Sequence, residues 1–123
     1  MKLETVRTIA EFLESTWGQE SSKDGTYSIK YSLAQNLLTL KYTTLVHFAS
    51  ESSLNPQVAA ANEQAVQLCN AKITDLKKKF RQVSGESLKL EDKGGSDNIE
   101  LIQPQGPRKV AYYRYNHSFI VQD

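Results

Sequence analysis

The sequence predicts an α+β fold with an antiparallel sheet of about five strands and two helices packed on one face, in the order α-β-β-α-β-β-β. Two observations predict this fold. Apolar residues recur every three or four positions in two segments, which is typical of amphipathic helices. Other segments alternate apolar and polar residues, the period of half-buried strands, and short polar turns between them favour antiparallel pairing. We expect residues 1–123 to form a single domain.

The first helix is predicted near the start of the chain. Gly18 is expected to end it and residues 19–25 to form a loop. The apolar stripe of this helix consists of Leu3, Val6, Ile9 or Ala10, Leu13 and Trp17.

A strand pair is predicted next. Residues 27–33 alternate aromatic or aliphatic residues with Ser and Lys, and a second alternating run spans residues 37–48. The short gap of Ala34, Gln35 and Asn36 makes an antiparallel hairpin the natural connection. Leu37 and Leu45 lie on the otherwise polar face of the second run, which suggests a strand covered on both sides.

The second helix is predicted to be one continuous rod from Pro56 to about Gln82, with Asn55 as its cap and Gly85 as its end. Such a helix is ~40 Å long, which is longer than a small domain is wide. We therefore expect one end to project, bend or pack on a partner. Its apolar stripe consists of Ala61, Ala65, Cys69, Ile73, Leu76, Phe80 and Val83.

Three further strands are predicted as a meander. The first contains Leu88 and Leu90, the second spans residues 99–103, and the third spans residues 108–122. Residues 92–98 and 104–107 are the predicted turns, since both contain glycine in a polar context.

Composition excludes several classes of protein. Fifteen basic and fourteen acidic residues argue against a dedicated polyanion-binding protein, and a single cysteine rules out an intramolecular disulfide or a multi-cysteine metal site. Three glutamates interrupt the apolar pattern of the first 17 residues, so we expect no secretory signal. No apolar run is long enough for a membrane span. A cytoplasmic protein without membrane contact is therefore expected.

The residues best suited to chemistry favour no catalytic site. Cys69 lies in the apolar stripe and is expected to fill the core. His47 and His117 fall on different strands without the spacing of a metal or proton-transfer motif, so each is expected to be solvated or singly hydrogen-bonded. Gly94 and Gly95 lie between predicted strands and not at a helix N-terminus, which favours a turn over a phosphate loop. We predict no enzyme activity, no cofactor and no metal site.

Two groups of residues are candidates for contacts with a partner or with nucleic acid. One is the basic end of the second helix, and the other is a stretch of the last strand in which cations alternate with tyrosines. A run of lysines is more often a solvated surface, and tyrosine is a common strand residue. The candidate residues are Lys77, Lys78, Lys79, Arg81, Arg108, Lys109, Tyr113, Arg114 and Tyr115.

The leading functional expectation is a small, non-enzymatic module for protein–protein interaction or assembly, working as a homo-oligomer. This expectation rests on the long second helix, whose apolar stripe is longer than the rest of a 123-residue chain can easily bury. A second copy of the chain would cover the surplus. Small chains without a motif include many viral and accessory factors, and that class is the expectation here. The alternative is a nucleic-acid-binding module that uses the two candidate groups.

Overall fold

The computed structural model describes residues 2–24, 27–102 and 109–122, and the side chains of residues 17–29 lie outside that description. It confirms the α+β class with two helices and an antiparallel sheet, but the sheet has four strands where five were predicted. The elements are helix α1 (Lys2–Asp24), strands β1 (Tyr27–Ala34) and β2 (Leu37–Phe48), helix α2 (Glu51–Ser84), and strands β3 (Lys89–Ile102) and β4 (Lys109–Gln122).

The strand order in the sheet is β1-β2-β4-β3, and every neighbouring pair is antiparallel. Strands β1 and β2 form the predicted hairpin, with Ala34 opposite Leu37 and only Gln35 and Asn36 between them. Helix α2 then carries the chain across the sheet, so that β4 pairs with β2 and β3 lies at the edge. Two hairpins are thus joined through their inner strands.

The sheet has four strands and not five because two of the predicted strands form one continuous strand. The predicted turn at residues 92–98 is wrong: β3 runs through it from Lys89 to Ile102. Asp92 faces Phe119 and Gly95 faces His117, so one extra residue is accommodated between them as a β-bulge. Gly94 has a positive φ of 89° within this bulge, a conformation that glycine adopts without strain. The predicted turn at residues 104–107 lies outside the described residues.

Helix α1 is longer than predicted. It continues through Gly18 to Asp24, so the predicted stop and the loop at residues 19–25 are wrong as far as Asp24. A glycine inside a helix costs only ~1 kcal/mol relative to alanine, which does not suffice to end a helix. The predicted stripe is confirmed where side chains are described, since Val6, Ile9 and Ala10 are buried. The expectation for Trp17 lies outside the described side chains.

Helix α2 is a single continuous helix, as predicted, and at ~1.5 Å per residue its 34 residues span ~50 Å. Its start was misplaced, because the cap is Ser50 and not Asn55. The Ser50 N–H donates to Ser53 Oγ at 3.1 Å, and Ser53 Oγ donates back to Ser50 O at 2.8 Å. The end is confirmed: Gly85 is left-handed (φ 74°), and its N–H donates to Arg81 O at 2.8 Å.

The core lies between the helices and one face of the sheet. Buried residues from both helices join one cluster with alternate residues of β1, β2 and β4. The largest fully buried side chains are Tyr42, Tyr113, Phe80, Leu38, Leu40 and Leu76. The stripe of α2 is buried from Ala61 to Phe80, but Val83 is 59% exposed. Among the described residues, neither α1 nor α2 contains the long, nearly uncharged apolar stretch that a membrane-spanning helix needs.

Substitution of Leu76 tests the phase of α2. Leu76 is fully buried, so Leu76→Ala should lower the free energy of unfolding by about 2–5 kcal/mol through lost burial and a cavity. Val83→Ala removes an exposed side chain from the same predicted stripe and should change stability by no more than about 0.5 kcal/mol. Urea denaturation measures both. Equal effects of the two substitutions would contradict this placement of the helix.

Candidate functional site

Strand β3 lies beside the core and contributes little to it. Helix α2 packs on β2 and β4, whereas every side chain of β3 from Glu91 to Leu101 is exposed. An edge strand also has backbone N–H and C=O groups on its free side without a strand partner. The surface along β3 is therefore accessible to a partner, and the residues that attach β3 to the fold define the candidate site.

A first polar contact joins β3 to both β4 and α2. Tyr113 is buried on β4, and its hydroxyl donates to Asp97 Oδ2 of β3 at 3.0 Å. Asn62 of α2 donates through Nδ2 to the Tyr113 oxygen at 2.8 Å and to Asp97 Oδ2 at 3.3 Å. One carboxylate on the edge strand is thus tied to the helix and to the neighbouring strand.

A second polar contact lies at the bulge. His117 Nε2 is 2.6 Å from Asp92 Oδ1, and His117 Nδ1 is 2.8 Å from the Tyr115 hydroxyl. With Asp92 ionised, a proton on Nε2 is donated to Asp92, and the Tyr115 hydroxyl donates to Nδ1. The same Asp92 oxygen accepts the Gly94 N–H at 2.7 Å. A Cβ at Gly95 would overlap the Tyr115 hydroxyl, so this contact requires glycine there.

The ionisation states suit a structural clamp. The hydrogen bond from His117, followed by that from Gly94, holds the pKa of Asp92 below its ordinary value. Burial raises the pKa of Tyr115, and burial likewise raises the pKa of Tyr113 to about 12. Both tyrosines therefore stay protonated at neutral pH and act as hydrogen-bond donors. We call the contacts of Asp97 and Asp92 with β4 and α2, together with the Tyr115–His117 contact, the β3 clamp.

Cys69 and the histidines occupy separate environments. Cys69 is buried in the α2 stripe, as predicted, and burial raises the pKa of its thiol to about 11. Strands β2 and β4 are neighbours, but His47 is exposed on the open face of the sheet, whereas His117 faces α2 and has two partners. Within the described residues, no three His, Cys, Asp or Glu side chains form a cluster that could hold a metal ion.

The two halves of β3 differ in character. The first half contains the bulge and an exposed pair in which Lys93 Nζ lies 3.4 Å from Glu91 Oε1. The second half, residues 96–102, pairs with β4 without a register shift. It exposes two apolar side chains on one face, Ile99 at 41% and Leu101 at 67%. Leu101 also lines a groove of about 410 Å³ with Phe48, Leu54, Ile102, Val110, Glu51 and Lys109.

The predicted contact residues do not form one surface. Tyr113 and Tyr115 are buried on the helix face of β4, so neither ring has a free face on which a base could stack. Arg114 lies on the opposite face, where its Nη1 is 2.9 Å from Glu100 Oε2. Arg108 lies outside the described residues. Tyr113 and Tyr115 are thus on one side of the sheet, and Arg114 is on the other.

The predicted cations are also far apart, because Lys109 of β4 lies near the start of α2 and the candidate cations of α2 itself lie near its end. Lys109 lines the groove beside Glu51, at the start of the helix. Lys77 is 26 residues further along, which corresponds to ~39 Å. Lys79 lies over the ring of Phe12, 5.6 Å from its centroid. The remaining members of the basic end, Lys77, Lys78 and Arg81, are exposed.

Sequence reasoning missed Asp92, Asp97 and Asn62, which hold β3 in place. The segment around Gly94 and Gly95 was assigned to a turn because a turn and a β-bulge have the same composition of glycine and aspartate. The signal was the spacing of Asp92 and Gly94, two residues apart, which allows a side chain to accept a backbone N–H in either structure.

No protein-family model, curated protein or solved structure matches this chain.

Substitution of Asp92 tests the role of its charge in the clamp. Because the fold lowers the pKa of Asp92, its stabilising contribution is full above about pH 4 and is lost as the pH falls through the lowered pKa. Asp92→Asn should reduce the free energy of unfolding at neutral pH by about 0.5–1 kcal/mol, a small value because this carboxylate is exposed. The difference from the parent should shrink as the pH falls through that lowered pKa.

Denaturant unfolding across this pH range measures the effect. Glu86→Gln removes an exposed carboxylate outside the clamp and is the matched control. A loss that is the same at every pH would show that the charge of Asp92 is not what stabilises β3.

Proposed function

We propose that this protein is a small protein-binding or assembly module that self-associates through the second half of β3. The observation that carries the proposal is the asymmetry of this edge strand. Its first half has a bulge and exposed charges, which are devices that discourage pairing with another strand. Its second half has neither a bulge nor a lysine, and it exposes Ile99 and Leu101 on one face. A regular, partly apolar edge strand is a template for strand addition.

The sequence of this half is compatible with a second copy of itself. In an antiparallel pair centred on Ile99, that residue faces its own counterpart, Asp97 faces Leu101, and Asn98 faces Glu100. No like charges are opposed in this register. Centring the pair on Asp97 or on Glu100 would place two carboxylates opposite each other, which is unfavourable. Charge thus favours some registers of a symmetric pair and disfavours others.

The other exposed apolar side chains are less suited to self-association. Phe12 is 58% exposed beside Val83, but the Lys79 ammonium lies over its ring. On the open face of the sheet, Leu37 and Tyr112 are separated by rows of polar residues. The sheet also covers most of the α2 stripe, which supports self-association less than the sequence led us to expect. Strand β3 is therefore the preferred surface.

The proposal predicts a concentration-dependent mass. Light scattering across a dilution series should show a dimer at high concentration that dissociates on dilution. Ile99→Lys should shift the equilibrium to monomer, since the two new cations would lie directly opposite each other at the centre of the symmetric strand pair. The parent remaining monomeric at the highest concentration would overturn the proposal.

Two matched controls distinguish β3 from other surfaces. Val83→Lys adds the same charge at the other exposed apolar site, beside Phe12, and should leave the dimer unchanged. Tyr112→Lys does so on the open face of the sheet. Dissociation by either control, but not by the β3 variant, would move the interface to that surface.

A further inference from the structure

The face of the sheet that points away from the helices separates charge. On β2 the even-numbered residues Leu38, Leu40 and Tyr42 are buried under the helices, so the odd-numbered residues form the open face. The strand register extends this face to alternate residues of β1 and β4. On these three strands it contains no aspartate or glutamate, although the chain as a whole has fourteen. Its cations are Lys30, Lys41 and Arg114.

The three cations are neighbours. Lys30 on β1 and Lys41 on β2 are directly opposite each other. Two like charges in this position destabilise a sheet, and neither lysine has an ion-pair partner among the described residues. Lys41 in turn faces Asn116 of β4, and Arg114 is the next residue along β4 on this face. The cations therefore form a row across three strands, in which Lys30 and Lys41 are directly opposite and Lys41 and Arg114 are diagonal neighbours at ~7–8 Å.

The surroundings of this row are rich in hydrogen-bonding groups. Thr39 and Ser118 lie beside it, with their hydroxyls 3.2 Å apart. Tyr112 is 38% exposed on the same face, and the Arg114 guanidinium carbon lies 5.5 Å from the centroid of its ring. The Glu100 carboxylate pairs with Arg114 from the edge strand, but an exposed pair of this kind is weak and a stronger anion can displace it.

We infer that the open face of the sheet binds single-stranded nucleic acid. Phosphates bind at Lys30, Lys41 and Arg114, where they relieve the repulsion between the two lysines. A base stacks on Tyr112 when the Arg114 guanidinium leaves that ring for a phosphate. A single strand fits better than a duplex, because no element protrudes from the described part of this face to enter a groove. The charge complementarity is local, which explains how a chain of nearly balanced charge can present it.

Fluorescence anisotropy with a labelled oligonucleotide of about 20 nucleotides tests the inference. Three phosphate contacts on a single strand predict a slope of about −2 for log affinity against log salt, so raising salt from about 50 to about 200 mM should weaken binding on the order of 20-fold. Lys30→Gln, Lys41→Gln and Arg114→Gln combined should weaken binding at least 10-fold and flatten that slope toward zero. Removing the opposed lysines also removes a repulsion, so this variant should fold normally.

The matched control removes three charges elsewhere. Lys77→Gln, Lys78→Gln and Arg81→Gln combined should leave the affinity unchanged, because these exposed residues are at the far end of α2. Tyr112→Ala should weaken binding several-fold, whereas Tyr112→Phe should retain it, since stacking needs the ring alone.

Four outcomes would overturn the inference. These are no binding at about 50 mM salt, equal losses in the control and open-face triple variants, equal affinity for a duplex of the same length, or binding only to vesicles of phosphatidylcholine with phosphatidylserine. Because the cation row and β3 share no residue, failure here leaves the self-association of β3 standing, and dilution of the oligonucleotide-free protein tests that separately.

Discussion

Helix α2 packs on β2 and β4 and does not cover β3. How β3 is held in the fold, and which of its residues are exposed, both depend on this arrangement. Strand β3 has almost no buried apolar side chain to hold it, so its attachment depends on the backbone ladder to β4 and on the β3 clamp. Tyr113, Tyr115 and His117 place polar groups along the boundary of the core, where Asp97 and Asp92 meet them. Each buried polar side-chain atom of the described residues has a partner.

The clamp also explains why β3 has two unlike halves. Asp92 accepts hydrogen bonds from both His117 and Gly94, so the extra residue of the bulge is held in one conformation. A fixed bulge interrupts the free edge and protects the first half of the strand from pairing. Beyond Gly95 the strand returns to regular register, and there Ile99 and Leu101 are exposed. Protection of one half leaves the other half of β3 for the strand addition that we propose.

Periodicity predicted the parts of the fold that depend on burial, and it failed where polar contacts decide. The alternation in β2 and β4 and the stripe of α2 from Ala61 to Phe80 follow directly from the spacing of apolar residues. The continuous β3 does not, since Asp92 to Asn98 carries no apolar pattern and is held by partners distant in sequence. Predicting that Tyr113 and Tyr115 are buried requires knowing which face of β4 the helices cover. Alternation separates two faces but does not say which one a helix covers.

Self-association through β3 and nucleic-acid binding on the open face are geometrically compatible. An antiparallel pair of β3 strands related by a two-fold axis perpendicular to the sheet keeps both open faces on the same side. The two cation rows would then lie on one continuous eight-stranded surface, one on each side of the paired edges. Two linked sites on one strand of nucleic acid bind more tightly than either alone, because the second contact is intramolecular. Disrupting β3 should therefore weaken binding of a long oligonucleotide more than binding of a short one, whereas loss of the cation row weakens both.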